Sequence, residues 1–173
     1  MRSALRDHGG MSQAPRPPED ARRLNLRPRS YDHPDVRRLT ADLYREQLAR
    51  YGFADAPDDL PAAFAPPNGL FLVAYEDETP CACGGVQTHA PGVAEIKKLY
   101  VATSHRRHGL GHRILEALED AARASGARRI ILETGSRNTE ALSLYTRTGY
   151  QPIPAYRERD ATINRALAKD LSP

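Results

Sequence analysis

This 173-residue chain is poor in three things, and each scarcity narrows what it can be. Cysteine occurs only at Cys81 and Cys83, too few for a disulfide framework. Their i, i+2 spacing on a strand directs both side chains to one face, and a metal would need further Cys or His ligands nearby. They therefore read as small, half-buried strand residues. Long apolar runs are missing as well. No stretch approaches the ~18 residues of a membrane span, and the start has no signal-peptide core, so a cytoplasmic chain without a membrane partner is expected. Lysine is the third scarcity, with 3 Lys against 22 Arg. No internal repeat is visible.

The net charge of +3 is unevenly spread. Residues 1–30 hold seven arginines against Asp7, Glu19 and Asp20, a surplus of four, so the remainder carries a net charge of −1. A near-neutral remainder argues against a nucleic-acid-binding face. Residues 1–23, with Pro15, Pro17 and Pro18, read as a disordered basic tail, and Met11 offers an alternative start. Residues 24–173 then form one domain, long enough to bury a core.

Periodicity orders that domain. Leu24–Arg27 alternates as a short strand does. Asp32-His33-Pro34 signals a helix start, Val36, Leu39, Leu43, Leu48 and Tyr51 keep helical spacing, and Gly52 stops the helix. Residues 54–68 form a loop with one helical turn near Leu60–Phe64. Leu70–Tyr75 and Cys81–His89 make a hairpin about Glu76–Thr79, and Val93–Val101 returns after Pro91-Gly92. A long helix opens near Gly109, buries Leu110, Ile114 and Leu118, and stops at Gly126. Arg129–Glu133 suits a covered strand. Asn138 caps a helix whose inner face is Ala141, Leu142 and Tyr145, ending at Gly149. Tyr150–Ile153 and Ala161–Leu167 form a last strand pair. The order is an α/β layout with a mixed sheet.

One segment names a ligand chemistry. Arg106-Arg107-His108-Gly109-Leu110-Gly111 joins a strand to a helix. Glycine permits a tight turn with bare N–H groups, the helix adds its unpaired donors and positive dipole end, and the arginines add charge. This is a cradle for a phosphate or pyrophosphate. The P-loop pattern fails, since it has neither its lysine nor its hydroxyl. The dinucleotide pattern lacks its third glycine, with Ile114 there instead, although Glu133 lies near the distance of its acidic partner. A third pattern, R-x-x-G-x-G at a strand–helix junction, remains.

With that pattern in place, the chain resembles the GNAT superfamily of N-acetyltransferases over roughly residues 24–171. The likeness rests on Leu99-Tyr100-Val101 with Arg106–Gly111, on Ile130–Thr134, and on Asn138-Thr139-Glu140-Ala141-Leu142-Ser143-Leu144-Tyr145 with Gly149-Tyr150. The last is similar to that family's N-x-x-A-x-x-L-Y-x-x-x-G-[FY]. Residues 153–156 and 168–171 resemble a bacterial branch. The resemblance implies a mixed, mostly antiparallel sheet of six to seven strands flanked by helices and splayed between the fourth and fifth strands. It also implies acetyl-CoA as donor, with no metal, and a small-molecule or protein amine as acceptor.

Within that family the pyrophosphate sits on the amides from Arg107 to Gly111, and Arg106 and Arg107 suit phosphate contact. The pantetheine arm pairs with the backbone of Leu99 and Val101 like an added strand, which needs no particular side chain. The amide of Leu99 or Tyr100 faces the thioester oxygen. Tyr145 matches the family's proton donor for the departing thiolate, or simply packs the apolar side of its helix. Asn138 touches the pantetheine, caps the helix, or does both. Glu95 is a candidate general base, directly or through water; alternatively it pairs with Lys97 or Lys98. Glu133 either lines the acceptor pocket or is a satisfied loop carboxylate. Tyr44, Arg45, Arg50 and Tyr51 would rim the acceptor end and favour an amine that also bears a carboxylate or phosphate. His108 and His112 have metal-ligand spacing, but ligands there would compete with phosphate, so an electrostatic role fits them better. A non-catalytic acyl-CoA-binding or regulatory module is the competing function. Either a monomer or a homodimer is compatible with the sequence.

Overall fold

The apolar runs and alternations become seven strands of one sheet, with helices on both faces. The computed structural model describes residues 24–54 and 60–172. The basic tail 1–23, Met11 within it, and part of the 54–68 loop lie outside the described residues. The elements are β1 Leu24–Pro28, α1 Pro34–Tyr51, β2 Gly69–Glu76, β3 Thr79–Ala90 and β4 Val93–Val101. They continue as α2 Leu110–Ala124, β5 Arg129–Gly135, α3 Thr139–Arg147, β6 Gln151–Ile153 and β7 Asn164–Asp170. Short 3-10 turns at Pro61–Phe64 and Thr103–His105 punctuate the loops. The strand order is β1-β2-β3-β4-β5-β7-β6, antiparallel throughout except for the β4/β5 pair.

Helix boundaries follow their chemistry. His33 Nδ1 accepts from the Asp35 amide at 3.1 Å to start α1, and Gly52 ends it with φ +77°. On one face of the sheet, α2 and α3 cover Ala94, Ile96, Ile130 and Leu132 with Ile114, Leu115, Leu118 and Tyr145. On the other, α1 brings Val36 and Leu39 onto Phe71, Val73 and Tyr100, with Phe64 from the first 3-10 turn. Each large apolar side chain so covered contributes roughly 1.5–3 kcal/mol.

Two sequence expectations need correction. Cys81 and Cys83 are fully buried and point to opposite faces. Ala74 faces Ala82 while Tyr75 faces Pro80, so Cys81 is an extra residue and the alternation shifts by one. The last strand also begins later than the pattern suggests, at Asn164. Asp160 holds 161–163 in a turn by accepting from the Thr162 amide (2.9 Å) and hydroxyl (2.7 Å), which keeps them out of the sheet.

Candidate active site

β4 and β5 run side by side and then part. Their parallel pairing covers Val93–Ile96 against Arg129–Leu132 and stops there, although both strands continue. Beyond the stop β4 bulges. Gly85 faces Lys97 and Cys83 faces Tyr100, so Gly84 opposes both Lys98 and Leu99, and Lys98 takes φ +59°. The bulge resets the alternation, placing Leu99 and Val101 against the α2-side core and Tyr100 in the α1-side core. Residues 97–101 thus have a strand partner on their β3 side and a cleft on the other. The cleft has a volume of about 770 Å³ and runs from Glu133–Gly135 to the start of α2.

At the α2 end the chain makes the turn the glycines suggest. Arg107 has φ +67° and Gly109 φ +76°, and Gly109 is the residue before the helix. The first helical bond of α2 is given by Arg113 to the Gly109 carbonyl at 3.1 Å, so the amides of Leu110, Gly111 and His112 precede the ladder. A side chain at 111 would press on Leu144 of α3, whose Cδ2 lies 3.3 Å from where a Cβ would stand. Gly109, Leu110, Gly111, Arg106 and Arg107 all line the cleft; His108 is exposed beside it.

Arg106 behaves differently from the sequence expectation of a phosphate contact. Its Nε donates to the Val101 carbonyl at 2.9 Å, one terminal nitrogen bonds Glu46 Oε2 at 2.6 Å, and the guanidinium lies over the Tyr100 ring. That guanidinium staples the turn to α1, because Glu46 is a stronger partner than solvent. Arg106 and Arg107 both line the cleft at the turn, Arg106 in the orientation these contacts fix.

From the far wall, α3 supplies Asn138 and Tyr145, both lining the cleft. Asn138 Oδ1 accepts from the Ala141 amide at 3.3 Å, which is the expected cap and leaves its NH₂ as the other functional half of the amide. Tyr145 is 4% exposed and packs edge-on against Tyr150 at 5.5 Å. Burial pushes its hydroxyl well above the ordinary phenol range, so the proton stays on at neutral pH.

Glu95 approaches from the opposite face and is enclosed. It is 1% exposed, and the cleft lining begins at Ile96. Arg157 grips it with both terminal nitrogens, one at 2.7 Å from Oε2. The Tyr156 hydroxyl donates to Oε1 at 3.0 Å, Gln87 Nε2 to Oε2 at 3.1 Å, and His89 Nδ1 stands 3.8 Å away. Burial pulls the carboxyl upward, but the hydrogen bonds and charge of Arg157, helped by Gln87 and Tyr156, outweigh it and hold Glu95 below the usual carboxylate range. Glu133 does line the cleft, and Arg157 reaches its Oε2 at 3.4 Å, with Arg159 Nε at 3.5 Å. Sequence reasoning missed Arg157. It stands 62 residues from Glu95 in a stretch with no periodic pattern.

The expected rim is present in part. Arg50 and Tyr51 line the cleft, while Tyr44 and Arg45 do not, Arg45 being paired with Asp42 along α1. Arg50 bonds Glu46 at 2.9 Å. Tyr51 crosses to β5: its hydroxyl accepts from the Arg137 amide at 3.1 Å, and Arg137 covers its ring at 4.8 Å. The crossing is possible because residue 135 is glycine; a methyl there would overlap the Tyr51 hydroxyl. His105 joins Ser104 (2.8 Å) to Glu76 (2.9 Å).

Known proteins share this fold. Residues 34–150 match the profile of the acetyltransferase (GNAT) family. Over 87 residues the chain is 36% identical to an IAA acetyltransferase from Azospirillum brasilense, a match covering 50% of this chain and 57% of that protein. Matches to two further curated relatives cover 38% and 50% of their lengths, so the chain spans about half the length of these relatives. A GNAT-family acetyltransferase from Staphylococcus aureus Mu50 superposes with a TM-score of 0.71 at 18% identity, covering 87% of this chain and 100% of that one. The PaiA N-acetyltransferase of Thermoplasma acidophilum, solved in complex with coenzyme A, gives 0.67 at 15% identity, with coverage of 86% and 99%. A fold, a fork between its fourth and fifth strands and a matching profile agree: the chain belongs to the acetyltransferase (GNAT) family.

Proposed function

We propose that this protein is an acetyl-CoA-dependent N-acetyltransferase. It passes the acetyl group to a primary amine of a small molecule or a protein by direct attack on the thioester. The carrying observation is that β4 continues past the end of its β5 pairing as Leu99–Val101, which borders a cleft and leads into the amide-rich turn before α2. An extended amide chain ending in a pyrophosphate is complementary to such a site. The cleft volume falls within the ~300–1,000 Å³ typical of small-molecule sites.

In this reading the backbone of Leu99 and Val101 pairs with the pantetheine, and the amides of Arg107, His108, Gly109, Leu110 and Gly111 receive the pyrophosphate, beside Arg106 and Arg107. The Asn138 NH₂ donates to the pantetheine while its oxygen caps α3. The amine nitrogen forms a bond to the acetyl carbon, the carbonyl oxygen becomes an oxyanion facing the Leu99 or Tyr100 amide, and the C–S bond then breaks. The departing thiolate takes the proton of Tyr145. For the proton lost by the amine, Glu95 is the proposed acceptor through a water. Its grip by Arg157 makes it a weak base at neutral pH. The pH–rate profile of Glu95→Gln decides its part: losing the acidic limb assigns the proton to Glu95, and keeping it leaves Glu95 with the Arg157 contact alone.

The test is calorimetry with acetyl-CoA followed by thiol release over a panel of amines. Binding with amine-dependent thiol release is expected. Binding without release for any amine assigns the chain to the non-catalytic acyl-CoA-binding alternative, and absence of binding removes both readings.

A further inference from the structure

At the vertex of the fork two carboxylates stand where sheet packing alone needs none. Glu95 is one residue before the last β4/β5 pair, and Glu133 is the first residue after it. Ile96 and Leu132 pack on the α2 side, so Glu95 and Glu133 face the α1 side together. Burying carboxylates is costly, and an apolar pair of similar volume would hold a sheet at least as well. Their placement side by side points to something they do as a pair.

That something is to hold Arg157. Its guanidinium takes both oxygens of Glu95 and reaches Glu133 Oε2 at 3.4 Å, so one rigid planar group spans the two strands where they diverge. Other donors contact the two carboxylates as well. Gln87, directly across from Glu95 in the β3/β4 register, and Tyr156 complete the first carboxylate, and Asn164 Nδ2 approaches Glu133 Oε1 at 3.4 Å. One guanidinium from the connection before β7 therefore joins β4 to β5, and β3, β7 and Arg159 Nε (3.5 Å from Glu133 Oε2) touch the two carboxylates it joins. A lysine would carry the charge without the planar fork that addresses both carboxylates.

We propose that Arg157 is a positioning residue for acetyl transfer, a strut that ties Glu95 of β4 to Glu133 of β5 and so fixes how the cleft side of β4 meets the donor. The proposal rests on the reading of the cleft as an acetyl-CoA site. Arg157 touches neither the donor nor the amine in this scheme; it sets the separation of the strands that do.

The test begins with the wild-type protein and the best acceptor from the amine panel. If no amine gives thiol release, the parent reading fails and takes this proposal with it. With an active wild type, Arg157→Ala is expected to lower kcat on the order of 100-fold, as misplacement by ~1 Å does. Its acetyl-CoA Kd should stay within about threefold, since the α2 turn is untouched. Millimolar guanidinium should restore a good part of the lost rate, and ammonium at equal ionic strength should not, because only the planar ion spans both carboxylates. Arg157→Lys should fall between wild type and Arg157→Ala. An unchanged kcat, or a loss that guanidinium repairs no better than ammonium, overturns the strut. If Arg157→Ala does not fold, Glu133→Ala removes the acceptor of the β5 arm while Glu95 keeps its grip on Arg157; an unchanged kcat there also overturns it.

Discussion

The two ends of the cleft are built in different ways. The α2 end is made of backbone: a turn with left-handed residues at 107 and 109, helix-start amides that precede the ladder, and a stretch of β4 with β3 on one side and the cleft on the other. The vertex and α1 end are made of side chains drawn from far apart, Arg157 on Glu95 and Tyr51 on Arg137, which are 62 and 86 residues apart. A backbone site can receive the one donor common to a whole family and needs only local geometry. A side-chain site can vary its residues one at a time, which is what a changing acceptor requires. The molecule thus builds the two ends of its cleft from different materials.

Tyr145 stands at the junction of the two ends and offers the sharpest way to separate them. Tyr145→Phe removes the proposed proton donor and leaves the edge-on packing with Tyr150. It should lower kcat by roughly 100-fold or more, the usual contribution of a general acid, with acetyl-CoA affinity measured by calorimetry nearly unchanged. An unchanged kcat removes Tyr145 from the chemistry and leaves it a packing residue.

The backbone end breaks by a different route. Gly109 sits at φ +76°, where a β-branched side chain costs roughly 1–2 kcal/mol. Gly109→Val should therefore weaken acetyl-CoA binding by about tenfold, with the amine KM little moved. The opposite split is expected at the far end. Gly135→Ala pushes the Tyr51 hydroxyl off the Arg137 amide and frees Arg137 from its ring. The amine KM should rise by a few-fold, as removal of one positioning contact does, while acetyl-CoA Kd holds. If both variants move both constants alike, the two ends are not separable and the comparison fails.

What was legible in the sequence follows the same division. The succession of strands and helices along the chain, the helix limits at Gly52 and Gly126, the turn at Arg106–Gly111 and the Asn138 cap can be read because each depends on residues within a turn or two of one another. Glu95 was visible as a carboxylate on a strand, but its partner was not, because the 154–163 connection has no period to announce where Arg157 points. Arg106 misled for the same reason. Its local context suggests a phosphate, and Glu46, 60 residues earlier, decides its direction. The two cysteines were misplaced by one bulged residue, which no alternation rule contains.

The smallest expected effect also sharpens the comparison, because it is confined to acid. Glu95 titrates lower in the folded protein than in the unfolded chain, so its contact with Arg157 contributes stability above the unfolded glutamate pKa of ~4.3. That contribution is lost as pH falls from about 5 toward and through the folded value, and it is absent once both states are protonated. Glu95→Gln cannot lose it. Between pH 6 and 4 the wild type should therefore lose more Tm than the variant, by a few degrees for a domain of this size. Hydrogen exchange locates the cause. In the wild type at pH 4, after correction for intrinsic rates, amides of 154–163 and the β4/β5 vertex should lose protection before those of α2. Glu95→Gln should show no such ordering with pH. Equal loss in α2 would mean that acid acts on the whole domain, and that the vertex is no more dependent on charge than the backbone end.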